Sequence, residues 1–117
     1  MANIIVEKSF RFAQEIITVY LVLREKGHFK LADQLVKSGT SIGANIEESQ
    51  AAHSKLDFIS KLTISNKEAR ETRYWLRLLE KKEFLGDHPS YFYLTSEIEE
   101  IILLLNSIIK KSRENFK

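Results

Sequence analysis

The chain is 117 residues long, 44% apolar and 29% charged, with a formal net charge of +2. That length suits one domain with a core of its own. The absence of cysteine excludes disulfides, thiolate nucleophiles and cysteine-based zinc sites, and so mild a charge is well short of the excess carried by many dedicated nucleic-acid binders. With one proline and four glycines there are few turns, so the elements must be long. The opening MANIIVEKSFRF lacks the basic and long apolar regions of a secretion signal. The apolar run Ile101–Leu105 is far shorter than the roughly 20 residues that span a bilayer. These features imply a cytoplasmic protein with no membrane partner.

Helix 1 is predicted over about 5–26, where Phe12, Ile16, Val19 and Leu23 recur at spacings of four, three and four. Gly27 stops it. Helix 2 is predicted over about 29–53, with Leu31, Leu35, Ile42 and Ile46 as its larger apolar residues. Its centre, Ser38-Gly39-Thr40-Ser41-Ile42-Gly43-Ala44, is poor helix material, so a bend or brief break is expected there. Ser54 and Asp57 resemble a capping box opening helix 3, predicted over about 55–83. One stripe of that helix is Phe58, Leu62, Ser65, Ala69, Thr72, Leu76 and Leu79. Its small centre, like that of helix 2, implies close packing of helices 2 and 3. Gly86-Asp87-His88-Pro89 is the third turn, and helix 4 follows over about 90–113. Leu94, Ile98, Ile101, Leu105 and Ile108 form its stripe, and Leu103 and Leu104 carry the apolar surface almost all round. Short connections favour antiparallel neighbours. The fold class is therefore all-α, an antiparallel up-down-up-down four-helix bundle forming one domain. The breadth of the apolar surface on helix 4 implies an oligomer.

Three constellations bear on chemistry. Glu25-x-x-His28 has the spacing of a di-iron bundle ligand pair, but it straddles a helix end and has no second copy. His53 and His88 fall at turns. Gly39-x-x-x-Gly43 lacks the Lys-Ser/Thr of a phosphate loop. No enzyme activity, metal or cofactor is expected. Asn45, Glu47, Glu48, Glu68 and Glu71 sit among residues that otherwise look like core, and buried carboxylates need partners. Asn45 and Glu48 share one face, as do Glu68 and Glu71. The expectation is that Asn45, Glu48, Glu68 and Glu71 fix helix register or subunit orientation, with Asn45 donating to a glutamate and Glu48 capping backbone or pairing with Arg70 or Arg73. Lys67, Arg70, Arg73, Arg77 and Lys81 form a basic row, within an arc of about 120° and a length of about 21 Å on one helix. Such a row matches successive phosphates. Lys110, Lys111, Arg113 and Lys117 extend the patch or offset the negative end of helix 4. Tyr74, Trp75, Tyr91, Phe92 and Tyr93 are candidates for stacking on bases, Trp75 reading better as core.

At Ser41-Ile42-Gly43-Ala44-Asn45-Ile46-Glu47-Glu48, Asp57-Phe58-Ile59-x-Lys61-Leu62 and Glu68-Ala69-x-Glu71-Thr72, the chain resembles the four-helix-bundle proteins encoded in intervening sequences of bacterial large-subunit ribosomal RNA genes. The likeness covers nearly the whole chain. It implies an up-down bundle assembled into a homopentameric ring, with Asn45, Glu48 and Glu71 at the family's characteristic polar positions. The same superfamily holds the accessory protein of diversity-generating retroelements, which binds reverse transcriptase and nucleic acid. Gly43 and Ser49 depart from the family pattern, which often has Pro and Gly there. The function expected is a non-catalytic oligomeric scaffold that binds RNA or DNA through the basic face of helix 3. The alternative is an adaptor docking a protein partner through exposed apolar surface, its polar motif purely structural.

Overall fold

Apolar residues spaced three and four apart wind the chain into α1 (Asn3–Glu25), α2 (Phe29–Ser49), α3 (Lys55–Leu78) and α4 (Pro89–Glu114). The computed structural model describes residues 3–115. The helices lie side by side in a bundle of 50 × 21 × 20 Å. α1 packs on α2, α2 on α3, α3 on α4, and α4 closes on α1. Cross-helix bonds run in opposite chain directions. Ser65 and Thr72 of α3 reach Ile42 and Ser38 of α2, while Asn66 and Arg73 reach Asn106 and Glu99 of α4. The topology is thus up-down-up-down.

The stripes meet along the bundle axis. Phe12, Ile16, Val19 and Leu23 of α1, Leu35, Ile42 and Ile46 of α2, Leu62 and Leu76 of α3, and Leu94, Ile98, Ile101 and Leu105 of α4 are all fully buried. Burial of each such side chain contributes about 1.5–3 kcal/mol. Gly27, at φ 90°, ends α1. Its N–H bonds Arg24 O and that of His28 bonds Leu23 O, a paired cap that needs a left-handed residue. Ser54 caps α3 by accepting from Asp57 N, and the ring of His88 caps α4 by accepting from Ser90 N.

The expected break in α2 is absent. The hydroxyls of Ser38, Thr40 and Ser41 donate to the carbonyls of Gln34, Val36 and Lys37 one turn earlier, so these residues are satisfied without leaving the helix. The small residues are also divided differently from the expectation. Gly39 and Gly43 face α1, where an added Cβ would lie 2.8 Å from Ile16 and 3.3 Å from Ser9 O. The hydroxyls of Ser65 and Thr72 serve the contact of α3 with α2.

Two helices stop sooner than their patterns suggest. α2 ends at Ser49, and Gln50, Ala51 and Ala52 bond only three residues back. The extended backbone of the Ser54 cap requires that exit. α3 ends at Leu78, because the chain folds back to bury both Leu79 and Leu85, joined by Leu85 N to Leu79 O. Lys81 and Glu83 therefore lie in the α3–α4 loop.

Candidate nucleic-acid interface

The polar motif does not sit in the core of the chain. Glu47, Glu48 and Glu71 are exposed, and Asn45 and Glu68 are half-buried. Asn45 donates to Ser41 O within α2 rather than to a glutamate. Glu48 pairs with Lys61 at 3.1 Å, not with Arg70 or Arg73. Glu71 accepts from the indole N–H of Trp75 at 3.0 Å, which holds Trp75 half-buried on the flank of α3 instead of in the core. Burial pushes the Glu68 carboxyl up, the charge of Glu71 adds to this, and Lys37 and Lys67 offset part of it. Ile64, Glu68, Glu71, Trp75 and Leu78 thus form a mixed ridge facing outward.

The structure brings four of the five predicted cations together. Lys67, Arg70, Arg73 and Arg77 project from α3, while Lys81 is displaced into the loop. Arg73 donates to Glu99 of α4 at 3.1 Å. Among the described residues, Lys67, Arg70, Arg77 and Lys81 have no carboxylate within salt-bridge distance.

The seam between α3 and α4 adds groups that the sequence pattern concealed. Asn66, one turn before Arg70, donates to Asn106 at 2.7 Å. Its own carbonyl oxygen is buried without a partner. These two asparagines, with Thr63, Lys110 and Arg113, line a groove of about 340 Å³ at one end of the seam. The only sequence signal for them was Asn106 interrupting a run of Leu and Ile. At the other end Tyr74, Arg77, Leu78, Glu80, Tyr91 and Thr95 line a second hollow of about 500 Å³. The row Asn66, Arg70, Arg73, Arg77 connects the two. Of the aromatic candidates, Phe92 is 81% exposed and Tyr74 is 52% exposed, while Tyr91 and Tyr93 are half-buried. Burial raises the phenols of Tyr91 and Tyr93, with the charges of Glu80 and Glu97 respectively adding to it. Both stay neutral in ordinary conditions.

Elsewhere, Lys8 ties α1 to α4 through Glu97 and Glu100 at 3.0–3.1 Å. Burial draws its pKa down, but the bonds to the two carboxylates outweigh this and raise it. Among the described residues no three His, Asp or Glu side chains converge as a metal-ligand set, and no helix is long and apolar enough to cross a membrane.

The fold and the seam define an all-α four-helix-bundle protein with polar grooves on its open helix faces. The chain belongs to the 23S rRNA-intervening sequence protein family, whose model matches residues 1–107. It is also similar to a solved structure from Bacteroides thetaiotaomicron VPI-5482, a protein of unknown function from the S23 ribosomal protein family. The two share 44% identity over 93% of this chain and 97% of that one, with a TM-score of 0.85. No curated protein matches the chain.

Proposed function

We propose that this is a non-catalytic, homo-oligomeric scaffold that binds RNA through the α3–α4 seam. The observation that carries the reading is the set of unpaired cations Lys67, Arg70 and Arg77 on one helix, continued by Lys110 and Arg113 at the groove beyond Asn66. Glu80 shares a hollow with Arg77, and Glu114 shares the groove with Lys110 and Arg113, but none of these cations is in a salt bridge among the described residues, which leaves a local positive potential that the net charge of +2 hides. Guanidinium groups in a row suit phosphate oxygens. The family's link by name to ribosomal RNA genes supports RNA as the first nucleic acid to try, with DNA of the same sequence as the second arm.

Assembly would strengthen a contact that is weak in one subunit. Several seams on one particle raise the effective concentration of each after the first binds. A pentamer, implied by the resemblance, is the preferred state. The test is a titration with single-stranded and structured RNA at rising salt. Three phosphate contacts per strand give a log–log salt slope of about −2 for a single strand. Replacing Arg70 and Arg77 by Glu is expected to weaken binding at least tenfold and flatten the slope. Absence of binding in about 50 mM salt, where phosphate contacts are strong, overturns the reading. So does unchanged affinity in the double variant. A stoichiometric protein partner that survives nuclease treatment would favour the adaptor alternative, which draws on exposed Phe10, Ile17 and Leu21.

A further inference from the structure

We propose that the hollow lined by Tyr74, Arg77, Leu78, Glu80, Tyr91 and Thr95 is a pocket for one unpaired nucleobase of a bound strand, and that it prefers guanine; this rests on the RNA-binding reading above. The volume of about 500 Å³ has room for a base with its ribose. Two helices supply the walls and the loop after α3 supplies the end. Tyr74, Arg77 and Leu78 stand at i, i+3 and i+4 on one face of α3, and Tyr91 and Thr95 stand one turn apart on α4.

Each group has a distinct use. Tyr74 offers an exposed ring, and base–aromatic stacking contributes about 1–3 kcal/mol per base. Its ring meets Trp75 edge-on, at 5.2 Å between centroids, and Trp75 is anchored to Glu71. The platform is therefore held before any ligand arrives. Tyr91 is fixed as well, because its hydroxyl donates to Leu76 O at 2.6 Å. That bond leaves the ring, not the hydroxyl, to contact a base. Arg77 has no carboxylate partner among the described residues and continues the cation row, so a strand lying along Arg70 and Arg73 reaches the pocket with a phosphate beside Arg77.

Glu80 confers the selectivity. A carboxylate only accepts hydrogen bonds. The Watson–Crick edge of guanine presents N1–H and N2–H side by side, matching the two oxygens. Adenine, cytosine and uracil each present one N–H group on that edge beside acceptors that a carboxylate repels. Unpaired bases are read on this edge. The loop carrying Glu80 is secured by Leu85 N to Leu79 O, Gly86 N to Lys81 O, and Lys26 Nζ to Phe84 O.

The test uses four ten-nucleotide single-stranded RNAs, identical except for a central G, A, C or U, with GMP as a separate ligand. The G strand is expected to bind about tenfold more tightly than the other three. Tyr74→Ala should remove that preference and Tyr74→Phe should retain it. Glu80→Gln should equalise the four strands while leaving their mean affinity within about twofold. Arg70→Ala should weaken all four alike. The fluorescent guanine analogue 6-methylisoxanthopterin at the central position, which keeps both donors of that edge and is quenched by stacking, should dim on binding wild-type protein and stay bright with Tyr74→Ala. Equal affinity of wild-type protein for all four strands overturns the pocket and leaves the RNA-binding reading standing. Failure of every strand to bind overturns both. GMP binding as tightly as the G strand overturns the strand-linked pocket in favour of a free-nucleotide site.

Discussion

At the scale of single residues, the α3–α4 loop shows how tightly backbone geometry constrains sequence. Gly86 lies so close to Glu80 O and the Lys81 carbonyl carbon that a Cβ there would collide with backbone. Backbone gives way less readily than a side-chain tip. Gly86→Ala is therefore expected to cost about 1–3 kcal/mol, the range for forced overpacking, and to lower the melting temperature by several degrees. An unchanged melting temperature would show that the loop relaxes freely. Glu68 makes a second case. Its carboxyl is raised above the ordinary glutamate value of 4.5 by burial and by Glu71. The folded chain then binds more protons than the unfolded chain from that value upward to the raised one, so stability falls as pH rises through that window. Above it the penalty is fully present. Glu68→Gln should raise the melting temperature at pH 7, and the gain should vanish below about pH 4, where the unfolded carboxyl is protonated too. A gain that persists in acid would point to a cause other than charge.

At the scale of helices, hydroxyls inside the α2–α3 contact set register. Ser65 is fully buried and donates to Ile42 O at 2.8 Å. Thr72 is also fully buried, with its hydroxyl 3.0 Å from Ser38 Oγ. Ser65→Ala is expected to cost about 1 kcal/mol, the net worth of one such bond. Ser65→Val should cost more, since the added methyls enter a close contact. Thr63→Ala, on the exposed side, should stay within about 0.5 kcal/mol; denaturant midpoints distinguish the three. The stripe through Leu62, Ser65, Ala69, Thr72 and Leu76 was legible because a 3.6-residue period repeats over many turns. The ends of α2 and α3 were not, because an apolar pattern does not say where the chain must turn back. Leu79 and Leu85 look like further helix and loop until both are seen to fill the core. The carboxylates misled for a related reason. Glu68 and Glu71 interrupt an apolar ridge, but that ridge lies outside the bundle of one chain. The basic row was visible at its spacing, whereas its partner Glu99 and the Asn66–Asn106 bond depend on which helix lies alongside.

At the scale of the whole molecule, several exposed apolar residues form two unlike stripes, while others, among them Leu56, Phe92 and Leu103, stand outside both. Phe10, Ile17 and Leu21 lie on the outer face of α1, at 60%, 46% and 58% exposure. Ile64 and Leu78, at 41% and 46%, belong to the α3 ridge with Trp75. A subunit with two different sticky faces suits head-to-tail contact, and head-to-tail contact closes into a ring when the rotation between neighbours allows it. The expected mass by light scattering is about five times 13.6 kDa. Because one contact would use both stripes, Leu21→Glu and Ile64→Glu should each reduce the particle to monomers. Phe92→Glu, on α4 and outside both stripes though 81% exposed, should leave the mass unchanged. If the dissociated variants also lose RNA affinity by a hundredfold or more, the gain comes from linked seams, in the range that effective concentration provides. If they keep wild-type affinity, a single seam suffices and the ring has another purpose. A wild-type protein that is monomeric at every concentration would remove the ring altogether, and the two stripes would then stand as surfaces for a different protein.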